Sequence, residues 1–176
     1  MGERTHRGDC HEVAAHVDAA FEILPLPPRK DPIARSAGWG ELAGAIDAAM
    51  RRDAPTERAT SWIAADRYQD ASELAFHLPS HPTAFSLNLS GRPNQFDLWP
   101  GFAETARTGD DLVVAADETA ETNPIILRLA PHFESYARDS LVDLRNRHGV
   151  VTRRRLWVMR RWLGGWPSSR EDALAR

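Results

Sequence analysis

The sequence predicts an α/β fold: a three-layer sandwich with a mainly parallel sheet and a C-terminal antiparallel hairpin at one edge. Three observations carry that expectation. Short, nearly all-apolar runs such as Asp111-Leu112-Val113-Val114-Ala115-Ala116-Asp117 read as strands buried on both faces. They alternate with amphipathic helical stripes, the signature of a sheet covered by helices. Near the end, residues 141–147 and 150–162 are two strand-like runs joined at His148-Gly149. With 176 residues and 42% hydrophobic content, the chain is long enough for one domain with its own core. We place that domain at 31–167, after an N-terminal helix and proline-rich linker over 1–30 and before a tail over 168–176.

The elements follow in order. Residues 11–24 have Val13, Val17, Ala20, Phe21 and Leu24 on one side, and Leu24-Pro25-Leu26-Pro27-Pro28 ends that helix because proline removes a donor. Leu42, Ala45, Ile46, Ala49 and Met50 form a regular stripe, closed by Asp53-Ala54-Pro55. Ser61-Trp62-Ile63-Ala64-Ala65 is a short strand ending at Asp66. Tyr68, Ala71, Leu74, Ala75 and Leu78 mark the next helix, stopped before Pro79; residues 83–89 and 111–117 are strands. Asn123-Pro124 reads as an N-cap with proline at the first helical position, and Pro131 as a kink in the helix that follows.

Composition narrows the functional classes. The net charge of -3 argues against a nucleic-acid partner. A single cysteine, Cys10, excludes an internal disulfide. No signal peptide and no membrane span are expected, because the charge-free stretch 74–91 is broken by Pro79 and Pro82. As written, the chain reads as cytoplasmic and soluble. Metal and nucleotide motifs fail on spacing. His11 and His16 stand at i, i+5, about 140° apart around a helix, and cannot share a metal as an i, i+4 pair does. There is no phosphate-binding glycine loop and no nucleophile elbow, so no metal, cofactor or catalytic residue is assigned.

In a sheet of this kind ligands bind at the carboxyl ends of the strands. Those ends carry Asp66 with Arg67 and Tyr68, then Asn88 with the loop Arg92-Pro93-Asn94-Gln95-Phe96-Asp97-Leu98-Trp99, then Asp117 with Glu118. We take Asp66, Tyr68, Asn88, Arg92, Asn94, Gln95, Asp97 and Trp99 as the ligand- or partner-binding set. Bland alternatives stand beside it: Asp66 and Asp117 as helix caps, Arg92 paired internally with Asp97, Asn94 and Gln95 tying down their own loop. A second signal is the run of Arg145, Arg147, Arg153, Arg154, Arg155, Arg160 and Arg161, interleaved with Trp157 and Trp162. Arg153, Arg154, Arg155 and Trp157 suit lipid headgroups or phosphate, and the same pairing suits single-stranded nucleic acid; the bland alternative is an edge strand protected by charge.

Arg67-Tyr68-Gln69-Asp70-Ala71-Ser72-Glu73-Leu74-Ala75-Phe76, followed by Arg92-Pro93-Asn94-Gln95-Phe96-Asp97-Leu98-Trp99-Pro100, resembles the C-terminal soluble domain of bacterial family 39 glycosyltransferases. These are membrane enzymes related to protein O-mannosyltransferases and the lipid A aminoarabinose transferase. The resemblance runs from about Phe21 to Pro167, with the proline-rich stretch placed like the segment leaving the last membrane span. It implies a transferase using a polyprenyl-phosphate sugar on the extracytoplasmic face of the membrane. The family's spans and its catalytic acidic residues have no counterpart in this chain. The resemblance therefore implies an accessory domain, not catalytic alone, whose partner is the membrane portion of the enzyme or an anionic membrane surface. The alternative is a stand-alone module binding a small anionic or sugar ligand at the strand ends.

Overall fold

A computed structural model describes residues 37–52, 59–89, 93–118, 123–146 and 149–167. The helix expected over 11–24, the linker, the tail, the His148 turn and Arg92 lie outside the described residues. Helix α1 (Trp39–Arg52) forms where the apolar stripe places it: Leu42, Ala43, Ile46 and Ala49 are buried. It enters over the backbone of a distant strand. Gly38 has φ +82, and a Cβ there would stand 2.7 Å from Leu144 Cα, so only glycine fits.

Strand β1 (Ser61–Ala65) leads into α2 (Tyr68–His77), then β2 (Ala84–Ser86), a 3-10 turn at Gln95–Leu98 and the short helix α3 (Phe102–Thr105). Strand β3 (Asp111–Asp117) precedes α4 (Pro124–Leu129), and the chain closes with β4 (Phe133–Asn146) and β5 (Gly149–Trp162). The fold is mixed α/β, with five strands in the order β2-β1-β3-β5-β4. β1 pairs in parallel with β2 and with β3, while β5 runs antiparallel to both β3 and β4. The sheet is thus mixed rather than mainly parallel, because β5 inserts between β3 and β4. Its residues fit that interior position: Leu156, Trp157, Val158 and Met159 are all buried.

Two expected boundaries shift for local reasons. β2 covers only part of 83–89, because Asn88 takes a left-handed φ of +30 that ends the extended run. Pro131 does not kink the helix. The α-helix stops at Leu129, residues Ala130–His132 form a 3-10 turn, and β4 starts at Phe133 rather than 141.

The core divides across the sheet. On one face α1 and α2 bury Leu42, Ile46 and Leu74 against Ile63, Val113 and Leu156. On the other, Phe85, Phe102, Ile126, Trp157 and Met159 pack together. At the amino ends of β1 and β3, Asp110 accepts from Thr60 N–H (2.9 Å), Trp62 Nε1 (2.8 Å) and Arg107 N–H (2.9 Å). Burial pushes its carboxyl up, but these three bonds outweigh burial and hold it below its ordinary value. That end is a structural clamp.

Candidate functional site

At the carboxyl ends of β1 and β3, four charged groups knit together. Arg154, on β5, is buried and reaches across β3 to Asp70 on α2, with Nε on Oδ2 and Nη2 3.2 Å from Oδ1. Its Nη1 meets Asp117 Oδ1 at 2.6 Å and Thr152 Oγ1 at 2.8 Å. Asp117 also binds Arg67, which holds the N-cap position of α2. Neither aspartate at the strand ends caps a helix. Arg67 offers α2 no side-chain cap, and α4 is capped by Asn123, whose Oδ1 accepts from Ile125 N–H at 2.9 Å.

Asp66 lies beside this network. One carboxylate oxygen accepts from Asp117 N–H at 2.9 Å, while Oδ1 is buried with no hydrogen-bond partner among the described residues. Burial pushes its carboxyl up to about 6, the bond from Asp117 opposes that, and the neighbouring carboxylates of Asp117 and Asp70 add to it. A carboxyl raised by folding holds its proton where the unfolded chain has lost it. Its stabilisation is full below the unfolded value of 3.8 and disappears as pH rises through about 6. Asp66→Asn keeps an acceptor for Asp117 N–H, so it should melt above the wild type at about pH 7.5 and level with it at about pH 4. Thermal melts at the two pH values check this.

After β2, Asn88 and residues 94–99 are tied together by side-chain bonds. Asn94 caps the 3-10 turn, accepting from Phe96 N–H at 2.9 Å, while its own N–H donates to Asp97 Oδ2 at 2.6 Å. Asn88 Nδ2 donates to both Asp97 oxygens, at 3.1 and 2.9 Å. Phe96 packs edge-on against Trp99 with centroids 5.5 Å apart, leaving Leu98 82% and Trp99 59% exposed.

Two clefts flank this loop. The first, of about 320 Å³, is lined by Asp66, Arg67, Tyr68, Gln69, Ser86, Asn88, Pro93 and Asn94. The second, of about 380 Å³, is more aromatic, with Leu87, Phe96, Trp99, Phe102 and Trp166 in its wall; Asn88 borders both. The structure thus brings Asp66, Tyr68, Asn88 and Asn94 to one cleft, and Asp97 and Trp99 to the other. Gln95 is exposed and lines neither. Sequence reasoning missed Ser86 and Gln69 as lining residues. Gln69 falls on the exposed first turn of α2, a signal that its position after Tyr68 already carries.

The arginine set divides differently from the expectation. Arg154 and Trp157 point into the protein and meet no headgroup; both are buried because β5 is an interior strand. Arg153 is exposed but paired with Asp143 at 2.8 Å. Arg155 donates to Asp139 O at 2.9 Å and to Glu118 at 3.3 Å. Carboxylates from the strand ends and from β4 therefore answer much of the positive run. Among the described residues no helix is long and apolar enough to cross a membrane. Comparison of the chain with family models, with curated proteins and with solved structures finds no match in any of the three.

Proposed function

We propose that this chain is a soluble domain of, or derived from, a polyprenyl-phosphate-sugar-dependent membrane glycosyltransferase, accessory to acceptor binding and not catalytic alone. One observation supports the reading above others: the two motifs that carry the resemblance meet in space. Arg67, Tyr68 and Gln69 from the first and Pro93 and Asn94 from the second line the same cleft, although more than twenty positions separate them in sequence. In this reading α1 and α2, the sheet, and the α3–α4 side form a three-layer sandwich with the β4–β5 pair at its edge. The partner is the membrane portion of the enzyme or the adjoining anionic surface, with exposed Leu98 and Trp99 as apolar contacts at the extracytoplasmic face.

The cleft's chemistry favours a neutral sugar over an anion. Asp66 lines the cleft, and the arginines nearest it, Arg67 in its lining and Arg154 in the adjoining network, are both held by carboxylates of Asp117 and Asp70. A phosphate would enter a negative field. A sugar instead presents hydroxyls that amides and a carboxyl group satisfy, and a C–H face that suits the half-exposed Tyr68 ring. The same cleft serves the alternative reading, a stand-alone sugar-binding module.

An NMR titration with neutral pentoses and hexoses and their 1-phosphates tests the site. The neutral sugars should shift the amides of Gln69, Ser86, Asn88 and Asn94, with the phosphates binding no more tightly. Tyr68→Ala should weaken binding about tenfold, with stability changed by no more than about 0.5 kcal/mol. The site reading fails if no sugar moves these amides. An antibody to the domain separates the two settings in source cells: a membrane-fraction product well above 19.7 kDa for the transferase, a soluble product at 19.7 kDa for the module.

A further inference from the structure

The two outer strands of the sheet are unequal. β2 is 3 residues long and β4 is 14. A long outer strand presents unpaired N–H and C=O groups, a template for another strand. β4 is interrupted by a register shift between Arg138 and Leu141, but before that shift Ser135, Tyr136, Ala137 and Arg138 keep one register against β5, and these four and Glu134 are all exposed. Their inner edge pairs with β5, through Ser135↔Arg160, Tyr136↔Met159 and Ala137↔Val158.

The charges in this segment are placed symmetrically. Glu134 and Arg138 stand two residues either side of Tyr136, on the same face of the strand. We propose that the segment pairs with its own copy in a second molecule, antiparallel, about a two-fold axis through Tyr136. That register sets Glu134 against the partner's Arg138, Tyr136 against the partner's Tyr136, and Arg138 against the partner's Glu134. On the opposite face Ser135 meets the partner's Ala137, a pair too small to clash.

Opposite charges and paired aromatics are the favourable cross-strand combinations, and a two-fold interface needs a self-complementary patch. Arg138 has no ion pair among the described residues, while Glu134 meets Arg161 at 2.9 Å in an exposed setting that leaves room for a second cation. A second copy fits this edge better than an unrelated strand, because only the chain's own sequence supplies the mirrored charges in this register. Five residues a side fall well short of a standard interface, so the association is weak and appears only as protein concentration rises. It lies at the opposite edge of the sheet from β2 and does not depend on the sugar-binding reading.

Sedimentation velocity over a concentration series tests it. The wild type should pass reversibly from monomer to dimer. Arg138→Glu should weaken the dimer at least about tenfold, since it sets like charges opposite each other twice. Glu134→Arg combined with Arg138→Glu should restore it. A second measurement does not rely on the swap. In a Cys10→Ser background, Tyr136→Cys should oxidise to a covalent dimer far faster than Ser135→Cys, because directly opposed Cα atoms lie within disulfide range and residue 135 faces 137 instead. A chain that stays monomeric throughout, a dimer unchanged by Arg138→Glu, or equal oxidation at 135 and 136 overturns the proposal.

Discussion

Arg154→Met lowers the stability of the domain by about 3–5 kcal/mol in urea unfolding, the expected result of breaking a buried ion pair from one side. Asp70 is 2% exposed and its carboxylate meets Arg154 through two bonds. Without the guanidinium that charge stays buried and unanswered. Asp117 fares better, because Arg67 still holds it. The penalty therefore falls on Asp70, and Arg154→Met combined with Asp70→Leu should recover most of the loss. A double variant no more stable than Arg154→Met alone would show that Arg154 acts through Asp117 or by packing.

Phe102→Ala is expected to cost a similar amount, about 3–5 kcal/mol, through a different mechanism. Phe102 is 2% exposed on the short helix α3, with ring centroids 5.9 Å from Phe85, 5.3 Å from Trp162 and 5.0 Å from Trp166. Truncation opens a cavity among rings that cannot easily collapse into it. Phe102→Leu should cost much less, since most of the volume remains. Denaturant unfolding of both variants checks the order, and near-UV circular dichroism reads the loosening of the tryptophans.

The parts of this fold written in local patterns were legible in the sequence. The stripe of Leu42, Ile46 and Ala49 marked α1, the run Leu112–Ala116 marked β3, and Asn123-Pro124 marked the start of α4 with its cap. The first half of β4 was not, because Glu134 to Arg138 are all exposed and leave no apolar alternation to read. The Arg154–Asp70 pair was hidden for another reason. The two residues lie 84 positions apart, and a run of three arginines reads as surface charge until β5 is known to lie inside the sheet. For the candidate site, the strand-end rule located Asp66, Asn88 and Asn94. It gave no means of telling that the first keeps a buried, unbonded oxygen while the others lock a loop.

The position of β5 has a consequence for how the protein is made. It is the last strand in chain order among the described residues, yet it sits between β3 and β4. Until its residues leave the ribosome, β3 has one bare side and β4 has no partner in the sheet. Domain closure during synthesis must wait for Trp162, and a nascent chain halted earlier carries exposed strand edges of the kind that chaperones and proteases recognise.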